Sequence, residues 1–216
     1  MKTTPMIFNT AMVKAILNGE KTVTRRPAKI EYERGFSGPV IRGKDGTVSV
    51  VNFAPIARLC PFGNTGDLIY IRETFTSDPD ADHDAWNDHE LSYYEWAGCD
   101  LSPQFLPEQL KTTDHCLYKA SCTIDMKWIP SIHMPRWASR LTLRITNVRI
   151  ERIQDITPQQ ALLEGIKHQS MNCPIAEFGQ LWNSIYNDWY ENPYVWVIEF
   201  EVIHQNIDTY LKNDAN

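Results

Sequence analysis

The stretch that best indicates the local structure is residues 15–26, which read Ala15-Ile16-Leu17-Asn18-Gly19-Glu20-Lys21-Thr22-Val23-Thr24-Arg25-Arg26. Its first residues complete a helix predicted over about 9–18, whose apolar face comprises Met12, Val13, Ile16 and Leu17. Asn9 or Thr10 can cap this helix, because a short polar side chain accepts hydrogen bonds from the free N–H groups of the first turn. Gly19 ends it, since glycine takes the left-handed conformation at little cost.

Outward from this stretch, alternating or continuous apolar runs predict strands at 47–53, 68–71, 141–150 and 194–203. Thr157-Pro158-Gln159-Gln160 matches a capping box with proline in the first turn, and predicts a helix that continues to Glu164 and stops at Gly165. A second helical stripe of aromatic and aliphatic residues at 178–189 is expected to pack in the core.

Helices and strands are mixed without a regular βαβ rhythm, which predicts an α+β fold. We expect a single domain over 1–204 with insertions at about 27–60 and 76–135, and a polar tail at 205–216 that frays. The segment 76–115 is acidic and aperiodic, and could act as a lid over a site.

Composition excludes several classes of protein. The 216 residues are 43% apolar and 22% charged, which excludes fibrous and wholly disordered chains. No apolar run approaches the ~20 residues of a membrane span, and no secretory signal is visible at the start. Five scattered cysteines favour reduced thiols and a cytoplasmic protein.

The net charge of −6 hides an uneven distribution. Residues 73–100 hold nine acids and no Lys or Arg, whereas 126–152 hold six basic residues and one acid. An acidic chain is not a general nucleic-acid coat, but a local basic face could receive a phosphate backbone or a nucleotide. The alternative is that these charges are solvated surface.

Lys21 and Thr24 carry the most specific chemical hypothesis. In a turn or bend their side chains could meet, and the nearby Arg25 and Arg26 would lower the pKa of a partly desolvated Lys21. A neutral lysine amine can accept the proton of a threonine hydroxyl and make it a nucleophile. The alternative is that Lys21 and the arginines bind phosphate or lie in water.

Two carboxylates could complete such a site. Glu164, at a predicted helix end, could hold Lys21 or carry a proton to a leaving amine. Glu73, after the strand at 68–71, is the competing candidate, although it could equally form an ion pair with Arg72 or another arginine.

Residues 128–137 are rich in tryptophan and proline. Trp128, His133, Arg136 and Trp137 could line a wall for a base through stacking and cation–π contacts. An equally plausible interpretation is a loop that packs over the fold.

A metal site could draw on His83, His89, Cys99, His115, Cys116, Cys122 and His133. The chain has no C-x-x-C or H-x-x-x-H pair, and no dinucleotide, P-loop, nucleophile-elbow or zincin motif. We therefore predict neither a metal nor another cofactor.

The order of these pieces resembles the ASCH domain family of the PUA-like fold. Four stretches carry the resemblance: residues 15–26, 66–73, 161–165 and 194–200. The resemblance implies a small mixed β-barrel with flanking helices, and leaves the long insertions unexplained.

Small bacterial members of that family are amidohydrolases that remove the acetyl group of N4-acetylcytidine. The resemblance assigns Lys21, Thr24 and Glu164 to the catalytic set, with Thr24 as nucleophile, Lys21 as base and Glu164 as proton shuttle. Residues expected near the substrate are Arg26, Arg25, Glu73, Trp137 and Arg136. Because other members bind or cleave RNA, the expected partner is a nucleoside or RNA, not a membrane. The alternatives to an amidohydrolase are a non-catalytic module that binds RNA or a modified base, and a ribonuclease.

Overall fold

The computed structural model describes residues 1–28, 40–42, 48–50, 60–77, 108–123, 127–166 and 173–214. The helices there are α1 (Thr10–Leu17), α2 (Pro158–Leu163), α3 (Pro174–Tyr186) and α4 (Ile207–Asp214). The strands are β1 (Thr3–Ile7), β2 (Val23–Pro27), β3 (Val40–Arg42), β4 (Val48–Val50), β5 (Leu68–Arg72), β6 (Phe75–Ser77), β7 (Cys116–Tyr118), β8 (Thr142–Arg152) and β9 (Tyr194–Ile203).

The main sheet has five strands in the order β1-β5-β8-β9-β2. It is mixed, because β1 runs parallel to β5 and β2 runs antiparallel to β9. Two smaller antiparallel pairs are β3 with β4 and β6 with β7. The predicted α+β class is confirmed, while the described strands form no closed barrel.

The chain, expected to be a single domain, falls into two compact units, the first of which comprises residues 1–2, 18–67 and 144–201. Its core forms where strand residues of β2 and β9 pack with residues of α2, α3 and the turn before α2: Val23, Val195, Val197, Ile153, Ile156, Ala161, Phe178 and Trp182. The aromatic stripe of α3 is therefore core, as its helical spacing predicts.

The second unit comprises residues 3–17, 68–143 and 202–216. Asn9 Oδ1 accepts a hydrogen bond of 2.8 Å from the Met12 N–H at the start of α1, whose Val13 and Ile16 are buried. This confirms the predicted cap and apolar face. A second core cluster contains Phe75, Cys116, Tyr118, Met134 and Ala138.

Residues 207–214 form the helix α4 where the sequence predicts a fraying tail. Ile207 is fully buried, and Asp208 forms a two-oxygen ion pair with Arg136, with oxygen–nitrogen distances of 2.8–3.1 Å. The start of α4 is held by Ile207, by this ion pair and by Asn206, whose side chain donates to the backbone oxygens of Arg136, Trp137 and Ser139. Such contacts leave little helical periodicity for sequence analysis to detect.

Strand β8 departs from strict alternation at Thr142. The pattern places Thr142 on the polar face with Arg144, yet Thr142 is buried and its hydroxyl donates to Gln205 O at 2.9 Å. A hydroxyl can occupy an interior position when a backbone carbonyl accepts its hydrogen bond.

No helix within the described ranges is long and apolar enough to cross a membrane. The predicted lid lies mostly outside the described residues, which omit 78–107.

Candidate active site

Lys21 is positioned by backbone contacts of residues 21–22 with the end of α2 and with β9. The chain leaves α1, passes Gly19 at φ +73°, and reaches Lys21, which forms an antiparallel bridge with Glu164. The next residue, Thr22, donates its N–H to Leu163 O at 3.0 Å and accepts from Phe200 N at 3.0 Å. Residues 21–22 are thus fastened to the end of α2 and to β9.

Glu164 follows the last residue of the short helix α2. The helix begins with the predicted capping box: Thr157 Oγ1 accepts from Gln160 N at 3.3 Å, and Gln160 Oε1 accepts from Thr157 N at 3.0 Å. It ends at Glu164 because Gly165 takes φ +83°, which redirects the chain. Both ends of α2 are therefore fixed, as the sequence predicts.

The Lys21 ammonium is fully buried and has three acceptors. Its Nζ lies 2.7 Å from Val23 O, 3.0 Å from Glu164 O and 2.6 Å from Glu164 Oε2. Three acceptors match the three protons of the charged form. Burial lowers the pKa of Lys21, and the Glu164 carboxylate partly offsets this effect.

The same carboxylate binds an arginine through its other oxygen. Glu164 Oε1 lies 3.0 Å from Arg25 Nη1, and Glu164 is only 5% exposed. Each oxygen of Glu164 thus has its own cationic partner. The structure brings Lys21 together with Glu164 and assigns Arg25, expected near the substrate, to the same cluster.

Glu73, the competing carboxylate, pairs with Arg140 and not with Lys21. Its carboxylate forms two hydrogen bonds with Arg140, at 2.9 Å and 3.0 Å, and burial raises its pKa. The Arg140 guanidinium also lies 4.1 Å from the ring centre of Tyr118. Between the two candidate carboxylates, the one in contact with Lys21 is Glu164.

Arg25 extends the cluster toward the surface. Its Nη2 donates to Gln160 Oε1 at 3.1 Å and pairs with Glu151 Oε2 at 3.3 Å. Glu151 in turn pairs with Arg149, which also pairs with Glu199. The result is a chain of six alternating charges: Lys21, Glu164, Arg25, Glu151, Arg149 and Glu199. The six charges sum to zero, but the buried end, made of Lys21, Glu164 and Arg25, has one excess positive charge, which the partly exposed Glu151 balances.

Thr24 does not join this cluster. Successive residues of a strand point to opposite faces, so Thr24 faces away from Arg25 and its partner Glu164. All three Lys21 donors are already directed elsewhere. The expected contact between Lys21 and Thr24 is absent, because the segment enters β2 and does not bend between them.

The other predicted substrate residues have contacts of their own. Arg26 donates to the Tyr186 hydroxyl at 3.3 Å, and Arg136 is held by Asp208. Trp137 packs against the second core cluster. Two prolines precede two 3₁₀ turns in the segment 128–137. For this segment, the described contacts favour the packing interpretation.

Sequence reasoning missed both residues that contact Arg25 beside Glu164, namely Gln160 and Glu151, and also Arg149 and Glu199 beyond them. Gln160 has a local signal, because the capping box predicts that its side chain lies near the start of α2. The capping box does not predict that Gln160 Oε1 also accepts a hydrogen bond from Arg25. Glu151 carries no local signal, because its contact with Arg25 depends on the placement of two strands that are distant in sequence.

Comparisons with protein families, with curated proteins and with solved structures find no match. Within the described ranges, no three His, Cys, Asp or Glu side chains are grouped as metal ligands would be. The candidates His83, His89 and Cys99 lie outside the described residues.

Proposed function

We propose that this chain is an amidohydrolase of the ASCH type, on a PUA-like domain, that deacylates a nucleoside such as N4-acetylcytidine. The observation that carries the proposal is the buried contact of 2.6 Å between Lys21 Nζ and Glu164 Oε2. A desolvated amine with a specific charged partner is the kind of group that marks a candidate site for proton transfer. The substrate class rests on the family resemblance of residues 15–26 and 161–165. The few cysteines, of which the four described are free, support a cytoplasmic setting.

The contacts of Lys21 suggest how the two residues divide the work. Because three acceptors surround Lys21, its resting form is the ammonium, which is a proton donor. Glu164 is 5% exposed and Lys21 has no exposure, so Glu164 is the member of the pair nearer to solvent. We therefore give Glu164 the role of proton acceptor and Lys21 that of donor, the reverse of the expectation from sequence.

The reaction then balances as follows. Water adds to the acyl carbonyl carbon while Glu164 accepts its proton. If the Thr24 hydroxyl attacks instead, its proton reaches Glu164 through an intervening water molecule, because Thr24 faces away from Glu164. The C–N bond breaks as the leaving amine receives a proton that Lys21 supplies through the Glu164 carboxyl group, and the proton that Glu164 took from the nucleophile restores the Lys21 ammonium. Attack by water gives acetate and the free amine directly. Attack by Thr24 gives an acetyl ester on the protein, which a water molecule hydrolyses in a second step.

Acetate release from N4-acetylcytidine tests this function. Wild-type protein and the Glu201→Gln control, which alters an exposed carboxylate, should both release acetate, whereas Glu164→Gln should not. Loss of helical circular dichroism in Glu164→Gln would signal unfolding, so each variant is checked for native fold. If the folded wild type releases no acetate, the proposed function is wrong.

Thr24 variants identify the nucleophile. Thr24→Ser keeps a hydroxyl and Thr24→Val removes it at nearly the same volume. If Thr24 attacks, only Thr24→Val loses activity and the wild type shows a burst of free cytidine before steady state. If water attacks, both variants stay active, as the direction of Thr24 in β2 favours.

The RNA-binding alternative receives less support from the described contacts. In the basic segment 126–152, Arg144 pairs with Glu201, Arg149 pairs with Glu199, and Arg140 pairs with Glu73. Paired arginines release fewer counterions when phosphate approaches. Tight RNA binding with a steep dependence on salt, and no acetate release, would establish that alternative.

A further inference from the structure

We propose that Arg25 is a positioning residue that fixes the Glu164 carboxylate in the orientation required for proton exchange with Lys21. This inference rests on the proposed function. It differs from the expectation that Arg25 contacts substrate, because the Arg25 side chain is fully buried and its described contacts are with other side chains.

The Arg25 guanidinium is held at several points. Nη1 contacts Glu164 Oε1, while Nη2 contacts both Gln160 Oε1 and Glu151 Oε2. Gln160 is itself held by the Thr157 N–H at the start of α2. A planar group with contacts on two nitrogens cannot rotate freely, so it provides a fixed point for the carboxylate.

The fixed guanidinium distinguishes the two oxygens of Glu164. Glu164 Oε1 accepts a hydrogen bond from Arg25, and Glu164 Oε2 is therefore directed at Lys21 Nζ. Without Arg25, Oε1 would be a buried acceptor with no cationic partner, and the carboxylate could turn toward another donor. The exchange of a proton with Lys21 needs donor and acceptor within hydrogen-bond distance, so turning the carboxylate would slow it.

Arg25 also acts through its charge. Its positive charge lowers the pKa of Lys21, as does that of Arg26, whereas Glu164 raises it. The charged groups around the pair are Arg25, Arg26, Glu151, Arg149 and Glu199. Removing the Arg25 charge should therefore move the titration of Lys21 to higher pH.

Lysine at position 25 would separate geometry from charge. A lysine ammonium keeps the positive charge but lacks the planar fork, so it cannot reproduce contacts with Glu164, Gln160 and Glu151 together. Arg25→Lys should therefore lose positioning and keep the electrostatic effect. Arg25→Gln should lose both.

The test combines kinetics with NMR titration of the Lys21 side chain. We expect both variants to lower kcat by up to about 100-fold, since small misplacements have costs of that order. We expect Arg25→Gln to raise the pKa of Lys21 and Arg25→Lys to leave it near the wild-type value. Arg144→Gln, which removes an exposed arginine paired with Glu201, is the matched control and should change neither quantity.

Each result separates the two proposals. If the wild type releases no acetate, the proposed function fails, while the titration of Lys21 still tests whether Arg25 is coupled to the pair. If either Arg25 variant keeps full kcat, Arg25 is not a positioning residue. If both variants give the same Lys21 titration, the charge of Arg25 does not act on Lys21. If Arg25→Gln does not fold, Glu151→Gln replaces it. That variant removes one support of Arg25 and should lower kcat by about 10-fold, and unchanged kcat would overturn the inference.

Discussion

Replacing Lys21 with methionine should strongly destabilise the protein. Methionine is close to lysine in length and apolar, so it fills the space without supplying donors. The change leaves Val23 O, Glu164 O and Glu164 Oε2 without the ammonium that now lies 2.6–3.0 Å from each. Glu164 would then be a buried carboxylate with Arg25 as its remaining cationic partner.

The magnitude follows from those three contacts. Hydrogen bonds from a charged donor contribute about 1.5 kcal/mol or more each, which gives about 4.5 kcal/mol for three. Removing one partner of a buried ion pair typically costs about 3–5 kcal/mol, because the other charge stays buried. We therefore expect the free energy of unfolding of Lys21→Met to fall by about 3–5 kcal/mol, a large part of the ~5–15 kcal/mol of a typical domain.

Urea denaturation followed by tryptophan fluorescence measures this loss. Three variants complete the cycle: Lys21→Met, Glu164→Gln and the double variant. In the double variant no unpaired carboxylate remains, so the two losses should not add. We expect the double variant to be more stable than the sum predicts by about 1–3 kcal/mol.

Two results would refute this account of the pair. A loss below about 1 kcal/mol for Lys21→Met would show that the ammonium is not a central contact of the fold. Additive losses in the double variant would show that Lys21 and Glu164 do not interact in solution. Lys119→Met, at an exposed position, is the control and should stay within about 0.5 kcal/mol of wild type.

Four further changes test the surrounding structure. Gly19→Val should lower the free energy of unfolding by about 1–2 kcal/mol, because φ +73° strains a residue with a side chain even though an added Cβ meets no atom within 4 Å. Gly19→Asn should lower it less. If both variants are as stable as wild type in urea, the left-handed turn is contradicted. Thr157→Ala should cost about 1 kcal/mol in the same assay by removing the α2 cap, and no loss would show the cap to be unimportant. Burial raises the pKa of Glu73, so just above pH 4.5 its carboxyl group keeps a proton in the folded state and loses it in the unfolded state. This difference stabilises the folded state, and the stabilisation is lost as pH rises through the raised pKa. Glu73→Gln should remove this pH dependence from the free energy of unfolding measured between pH 4 and 8. Burial likewise raises the pKa of Tyr118, whose hydroxyl donates to Ala138 O, so Tyr118→Phe should not change the ultraviolet titration of the folded protein near pH 10.

Elements with strong local signals could be predicted from the sequence. The capping residue Asn9, the left-handed Gly19, the capping box at Thr157 and the stop at Gly165 all lie as predicted. Each depends on the backbone conformation of a few adjacent residues, so local sequence suffices. Strand β9 has the predicted bounds for the same reason.

Features that depend on distant contacts could not be predicted with the same success. The helix α4 has a polar sequence and is held by Ile207 and by the ion pair between Asp208 and Arg136, which are 72 residues apart. The choice of Glu164 over Glu73 as the partner of Lys21 likewise needs a contact across 143 residues. The direction of Thr24 follows from the start of β2, which spacing alone did not locate.

The central claim is that Glu164 and Lys21 exchange protons during hydrolysis of an acylated nucleoside. The value of kcat/KM for N4-acetylcytidine, measured for folded Glu164→Gln and for wild type, tests it most directly. Because general acid–base catalysis contributes about 10²–10⁴-fold, we expect the ratio of wild type to variant to be at least about 100. A ratio within about threefold, which is less than 1 kcal/mol in the barrier, would contradict the claim.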